Sequence, residues 1–497
     1  MILTPAEMIA LEQSAFDEGV SAEALMDDAG AQMAAAIQQF CPVPGECAAV
    51  FGKGHNGGDA LVAARHLASA GWKVHVVPAF PRDQWAPLTR RKFEEAGLAR
   101  QHWPGALPTL HGRPAIILDG MLGTGATGAL RGPILELCRK INAVRQSSSA
   151  LVFALDLPTG LDGNTGEASA DAIVADATLS VGAAKTGLVM DQATPFVGRL
   201  AVLPLAELTA RMKADASRAT VATPAELQRL MPRRKFDSHK GDYGRIGIVA
   251  GSRGLVGAAV LSANACVRAG AGLVTLYVTE EIYQIAGAAV SPEVMVRPIT
   301  DYRELLETRR DVLALGPGLG QDRPEEVLEL IRRCEQPMII DADGLNVLAK
   351  NTDVLRDCAG PRLLTPHPGE MARLSPGMEG RTRRELAEAW VAKYPGTLLL
   401  KGSRTVIAEA GRPLSYNSTG NAGLASGGMG DTLTGVCAAL AGHGLPLYDG
   451  ARVASWLCGH AAELAIAHGG ESEESLIASR VVDFLGMAFR NLRAGVY

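Results

Sequence analysis

Long apolar runs are missing from this 497-residue chain. None reaches the roughly 20 residues that a membrane-spanning helix needs. The opening MILTPAEMIALEQSAFDEG has no positive segment ahead of an apolar stretch, so no secretory leader is expected and a cytoplasmic address is. A surplus of one charge is missing too: 48 Lys and Arg face 53 Asp and Glu, for a net charge of −5, which leaves no basic face for a nucleic acid. Cysteine is sparse, with eight residues scattered from 41 to 458 and no CxxC, which argues against a zinc site and against a disulfide framework. Aromatic residues make up only 5% of the chain.

Glycine is abundant instead. Fifty-six glycines beside 47% hydrophobic and 20% charged residues describe a globular chain with many tight strand-to-helix loops, the composition of an α/β protein. At this length two domains are expected. TPAEM at residues 4–8 and TPAEL at 223–227 each offer Thr as N-cap, Pro at the first helical position and Glu three residues after the Thr, so each is expected to begin a helix with a capping box. The second follows the strand-like LAVLPL and a polar, strandless segment. The domain boundary is therefore expected near residues 206–222, giving domains 1–212 and 223–497.

In the first half, CAAVFG, KVHVVPA, AIILD, ALVFALD and ATLSVG read as short buried strands separated by helices, which implies a parallel sheet with right-handed crossovers. The second half repeats the pattern with RIGIVAG, GLVTLYVT, DVLALG, PMIIDAD, RLLTP and TLLLKG, and ends in helices from about residue 449. Ligands of such sheets bind beyond the carboxyl ends of the strands. FGKGHNGGDA carries Gly52, Gly54 and Gly57 in dinucleotide-fingerprint spacing, yet VHVVPAFP lacks the acidic residue that would hold a ribose, which weakens a hydride-transfer reading. Asn56, Asp119 and Thr159 bring amide, carboxylate and hydroxyl oxygens to strand ends, a donor set suited to a hard cation.

The glycine-rich NAGLASGGMGDTLTG, residues 421–435, raises the other candidate. The amides of Gly428, Met429 and Gly430 are expected at a helix N-terminus, with Asp431 in the first turn where the helix dipole favours its ionised form. A carboxylate beside such an anion cradle can take the proton of an attacking hydroxyl during phosphoryl transfer. DADGLN places two carboxylates at a strand end, TPHPGE offers His367 and Glu370, and Lys401 enters an expected hairpin at LLLKGSRTVIAEAG.

LMDDAG, GKGHNGGD, LDGMLGTG, LDLPTGLDG and SVGAAKTGL together resemble the YjeF-type N-terminal epimerase domain of the bifunctional NAD(P)H-hydrate repair enzymes, over most of residues 1–204. GDYGRIGIVAGS, GPGLG, DADGLN, TPHPGE, KGSRT and NAGLASGGMGDTLTG resemble the ADP-dependent dehydratase domain of the same enzymes, over roughly residues 224–492. The resemblance implies an α/β chain of two doubly wound domains, a Rossmann-like three-layer sandwich followed by a ribokinase-like domain. It implies interconversion of the R and S forms of hydrated NADH and NADPH (NADHX and NADPHX) by the first. It implies dehydration of the S form by the second, with ADP or ATP as co-substrate, AMP and phosphate as products of the ADP reaction, magnesium as counter-ion, and a homo-oligomeric assembly.

Carried onto this chain, the epimerase substrate would meet His55, Asn56, Gly57, Gly58, Asp59, Gly123, Thr124, Gly125, Ala126, Thr127, Gly128, Ala129 and Asp156, with Asp156 the proton-handling group. Potassium would meet Asn56, Asp119 and Thr159. Ala258, Gly318, His367 and Asp431 would contact the dehydratase substrate, with Asp431 the catalytic base, while Lys401, Gly402, Ser403, Arg404, Thr405 and Gly430 would hold the nucleotide. His55, Ala60 and Thr159 depart from the family's usual Asn, Gly and Ser, and Ser426 and Met429 stand where Thr is common. Two other readings stay open: a ribokinase-like kinase for a small alcohol with a non-catalytic first half, and a first half that only binds cofactor or protein.

Overall fold

The structure is a computed structural model that describes residues 1–98, 107–125, 128–213, 215 and 217–497. It divides into two compact units, Met1–Asp215 with Tyr497, and Ala216–Val496.

The first unit is built on six parallel strands: β1 (Glu46–Phe51), β2 (Lys73–Pro78), β3 (Ala115–Gly120), β4 (Leu151–Leu155), β5 (Ala177–Val181) and β6 (Arg199–Leu203). They lie in the order β2-β1-β3-β4-β5-β6, so the winding direction reverses between β1 and β3. Such a switch point leaves a crevice at the carboxyl edge of the sheet. Alternate residues of one strand enter different cores. Cys47, Ala49 and Phe51 pack with helices α2 (Ala22–Phe40) and α3 (His55–Ser69), while Ala48 and Val50 pack with Ile134, Leu137 and Ile141 of the helix Gly132–Ser147. Both faces are thus covered, which is why these strands are continuously apolar. Helix α1 (Pro5–Asp17) starts with the expected capping box of Thr4 and Glu7, and just before it Ile2–Leu3 pairs in parallel with Ala184–Lys185.

The second unit has β7 (Arg245–Val249), β8 (Leu273–Val278), β9 (Val294–Pro298), β10 (Val312–Leu315), β11 (Met338–Ile340), β12 (Arg362–Leu364), β13 (Thr397–Leu400), β14 (Val406–Glu409) and β15 (Ser415–Tyr416). The order is β9-β8-β7-β10-β11-β12-β13-β14-β15, parallel through β13 and antiparallel from there to β15. Here the reversal falls between β7 and β10. The helix Val256–Arg268 packs against the helix Met429–Gly442, and both join the core containing Ile246, Ile248 and Ala314.

Two expectations need correction. The segment read as strandless contains Thr220–Val221, a short strand paired with β15 at the sheet edge. TPAEL opens only a four-residue helix, Pro224–Leu227, without the reciprocal capping bond, because the Glu226 carboxylate engages Arg452 instead.

Candidate functional sites

At the switch point of the first unit, the turn after β1 leads directly into α3. This requires close backbone approach: a Cβ on Gly52 would sit 1.9 Å from the Met121 carbonyl oxygen. Asn56, in the first turn of α3, donates through Nδ2 to the carbonyls of Leu122 (2.9 Å) and Leu155 (3.0 Å). Its Oδ1 is buried without a hydrogen-bond partner. Asp119, at the end of β3, is fully buried and accepts from the Thr159 hydroxyl (2.7 Å), the Thr159 amide (2.8 Å) and the Met121 amide (3.3 Å). Burial pushes its pKa up to about 6, with the Thr159 bonds pulling against it. Leu122 links the three residues: its carbonyl accepts from Asn56 and its amide donates to Thr159 Oγ1 (3.2 Å).

Asp156, just beyond β4, has a backbone φ of 69°, a left-handed conformation that costs a residue with a Cβ about 1–3 kcal/mol and that clusters at functional sites. Its Oδ2 accepts from Thr124 Oγ1, and its Oδ1 receives the buried Lys185 ammonium. Asp59 is brought into the same field. Burial raises its pKa well above the ordinary carboxylate value, and the charge of Asp156 adds to that. A cleft of about 410 Å³ lies between the loops that follow β3 and β4, bordered by Gly123, Gly128 and Ala129 on one and by Pro158 and Gly160 on the other; Asp59, Thr124, Asp156 and Lys185 are not among its lining residues. His55 and Gly125 are exposed, Gly57 and Gly58 are buried under the turn, and Ala126 and Thr127 lie outside the described residues. Asp162 accepts from the amides of Asn164 and Thr165 and closes its own loop.

In the second unit, Gly428 caps the helix Met429–Gly442 with φ 85°, turning the chain so that Asp431 falls in the first turn. Burial pushes the Asp431 pKa up to about 6, the negative charge of Asp341 adding to the shift and Lys401 opposing it. Lys401, beyond β13, donates to Asp341 Oδ1 at 2.8 Å and lies 3.7 Å from Glu370. Asp341 is 1% exposed and takes a second bond from Thr434 Oγ1, also 2.8 Å. Burial works against its charge, but the ammonium and the hydrogen bonds from Lys401 and Thr434 hold its pKa below the usual value; burial likewise opposes the Lys401 charge, and Asp341 keeps that pKa raised. A Cβ on Gly430 would sit 3.2 Å from Lys401 Nζ and 3.5 Å from Asp341 Oδ2, so the bare backbone of the helix start abuts this ion pair.

His367 caps the short helix Pro368–Leu374 through Nδ1, which accepts from the amides of Gly369 and Glu370. Gly318 and Ala258 are neighbours: a Cβ on Gly318 would sit 3.0 Å from that of Ala258. Gly402, Ser403, Arg404 and Thr405 form the turn after Lys401, with Thr405 Oγ1 donating to the Gly402 carbonyl and Arg383 donating to the Arg404 carbonyl. Asp341, Thr434 and Arg383 escaped the sequence reading as site members. A signal existed only for Asp341, which stands at the end of a buried strand. The larger cleft near Arg234, Tyr243 and His443, about 790 Å³, adjoins the amino ends of β7 and β8, and none of the expected residues borders it.

Both sites join a strand-end carboxylate to a lysine, Lys185 buried and Lys401 half-buried. Asp156 and Ala342, the residue after Asp341, are the non-glycine residues with positive φ among those described.

Comparison with known proteins gives two family matches. Residues 246–481 match the family described as NAD(P)H-hydrate dehydratase, and residues 22–187 match the YjeF-related protein N-terminus. A bifunctional NAD(P)H-hydrate repair enzyme of Moorella thermoacetica is 35% identical, covering 100% of this chain and 98% of its own length. The enzyme of the same name from Escherichia coli is 36% identical over 84% of this chain and 80% of its own. Among solved structures, the ADP/ATP-dependent NAD(P)H-hydrate dehydratase of Bacillus subtilis, co-crystallised with ATP and magnesium, is 30% identical, with a TM-score of 0.49 over 56% of this chain and 100% of that one.

Proposed function

The chain belongs to the bifunctional NAD(P)H-hydrate repair enzymes, and on that premise we propose how its residues divide the work. It is a nucleotide-dependent dehydratase of hydrated NAD(P)H and an epimerase that interconverts the R and S hydrates. The dehydratase is the second unit and the epimerase the first.

Water added across a ring double bond of a reduced nicotinamide leaves a hydroxyl that departs poorly as hydroxide. Phosphorylation turns it into a good leaving group. Asp431 accepts the hydroxyl proton as that oxygen attacks the terminal phosphorus of ADP, and AMP leaves. Loss of a ring proton and of phosphate then restores the conjugated ring. The amides of Gly428, Met429 and Gly430 and the Lys401 ammonium stabilise charge on the transferring group. Lys401, Gly402, Ser403, Arg404, Thr405 and Gly430 hold the nucleotide, and Ala258, Gly318 and His367 hold the substrate. Magnesium prefers phosphate oxygens and water to an all-protein cage, and no three acidic, His or Cys side chains form a cage among the described residues. When bound it neutralises phosphate charge, and Lys401 with the glycine amides would hold the phosphates it accompanies.

In the first unit, His55, Asn56, Gly57, Gly58, Asp59, the 123–129 loop and Asp156 receive the substrate. Asn56, Asp119 and Thr159 fit a potassium ion, since Asn56 Oδ1 is a buried acceptor without a donor and Asp119 is a buried carboxylate at the end of the neighbouring strand. The ion would supply a fixed positive charge at the switch point. The alternative reading as a small-alcohol kinase is disfavoured by the match of the chain's whole length to a relative named as a bifunctional NAD(P)H-hydrate repair enzyme.

The observation that carries the dehydratase reading is the meeting of Asp431, Gly430, Lys401 and Asp341 at one helix N-terminus. The test is incubation of the purified protein with mixed hydrate epimers and ADP or ATP. Recovery of reduced-nicotinamide absorbance with release of free phosphate is expected. Accumulation of a stable phosphorylated product would replace this reading with the kinase one.

A further inference from the structure

Lys185 stands outside every role given so far. It is 1% exposed, and its three ammonium hydrogens have three partners: Asp156 Oδ1, the Val181 carbonyl (2.9 Å) and Ser180 Oγ (3.3 Å). A buried ammonium so fully engaged is a fixed charge rather than a searching one. Its backbone is fixed as well, since Lys185 pairs with Leu3 in the short strand that precedes α1. The carboxylate it grips is the strained, left-handed Asp156, whose other oxygen is held by Thr124 on the substrate loop.

Two more carboxyl groups face this pair, Glu12 from α1 and Asp59 from α3. Burial raises the pKa of both. For Glu12 the Lys185 charge opposes and the Asp156 charge reinforces that rise; for Asp59 the charges of Asp156 and Glu12 reinforce it and Lys185 opposes it.

We propose that Lys185 is the positioning residue of the epimerase: it holds Asp156 by Oδ1 so that Oδ2 exchanges a proton with the ring hydroxyl while the hydroxyl-bearing carbon inverts. This rests on the epimerase reading of the first unit. The carbon in question is bonded to the ring nitrogen, so it can invert without an added reagent. Asp156 Oδ2 takes the hydroxyl proton, a C=O bond forms, and the C–N bond breaks with its electron pair delocalised into the conjugated ring carboxamide. The freed aldehyde turns its other face, nitrogen re-forms the C–N bond, and Asp156 returns the proton to oxygen. No atom or electron is gained or lost. Lys185 balances the carboxylate charge through the cycle and touches no reacting atom.

The experiment measures exchange between the R and S hydrates by the full chain without nucleotide. It compares the parent with Lys185→Met, Lys185→Arg, Lys185→Ala with added methylammonium, and the charge-neutral double variant Asp156→Asn/Lys185→Met. Urea unfolding followed by the fluorescence of Trp72 and Trp85 in the first unit reports in the same samples that this unit is folded. The expected result is a fall in kcat of about 100-fold for Lys185→Met with KM changed less than about threefold. Partial recovery is expected in Lys185→Arg and in Lys185→Ala with methylammonium, and no exchange in the double variant even though it removes the acidic and the basic side chain together. Exchange within about twofold of the parent in Lys185→Met, or loss that neither the Arg variant nor methylammonium restores, overturns the inference. A parent without exchange overturns the epimerase reading itself.

Discussion

Two fields oppose each other at Asp431. The N-terminus of its helix favours the charged carboxylate, as the sequence led one to expect, but burial and the nearby Asp341 charge win and raise its pKa to about 6. As the proposed base, Asp431 must be deprotonated to act, so a raised pKa moves the acid limb upward in pH. The dehydration rate should be flat at pH 7 and above and fall about tenfold per pH unit below about 6, read as initial rate against pH. Asp431→Asn should lower the rate of phosphate release by roughly 100-fold or more and leave R/S exchange unchanged, because the other site lies in a separate unit. At this scale the sequence shows which residues can do chemistry but not what holds them. Nothing in DADGLN tells that Asp341 binds Lys401 and Thr434, partners 60 and 93 residues away. Nor does SVGAAKTGL tell that its lysine meets Asp156.

Among the elements, the helix Met429–Gly442 depends on one conformation. Gly428 turns the chain at φ 85°, and a Cβ there would lie 2.5 Å from Leu261 Cδ1 and 3.1 Å from Ala478 Cβ. Gly428→Ala should destabilise the chain by about 1–2 kcal/mol from the left-handed strain, with the clash in addition. It should also weaken dehydration by shifting the amide cradle. Urea unfolding and initial rates measure the two effects separately. Element boundaries were legible where the signals were local. The Thr4–Glu7 box closes in both directions at the start of a 13-residue helix, whereas the same letters at 223–227 gave one turn, the glutamate there being engaged by Arg452 far along the chain. The strand Val294–Pro298 went unread: it lies at the sheet edge, only Val294 of its five residues is buried, and its apolar run is just Val294, Met295 and Val296 before Arg297 and Pro298.

For the whole molecule, the consequence of two activities on one chain is that full recovery from an epimer mixture needs both units. Replacing potassium with tetramethylammonium should slow R/S exchange at least about tenfold, since the larger ion cannot be ligated by Asn56, Asp119 and Thr159. The expected trace then turns to a slow phase once the S hydrate is consumed, while dehydration of pure S hydrate proceeds at its usual rate. An unchanged trace would remove potassium from that site. The sequence by itself determined the α/β class, the run of buried parallel strands, the glycine turns and the kinds of atoms at the strand ends. These follow from period, apolar runs and backbone sterics within a few residues. Only the tertiary structure decided strand order and with it the two switch points, since order depends on which strands pair across long intervals. The partnerships Lys185–Asp156 and Lys401–Asp341, and the raised proton affinities of Asp59 and Asp431, were likewise settled in three dimensions. Burial and electric field are set by everything packed around a group, and a string of residues does not state its neighbours in space.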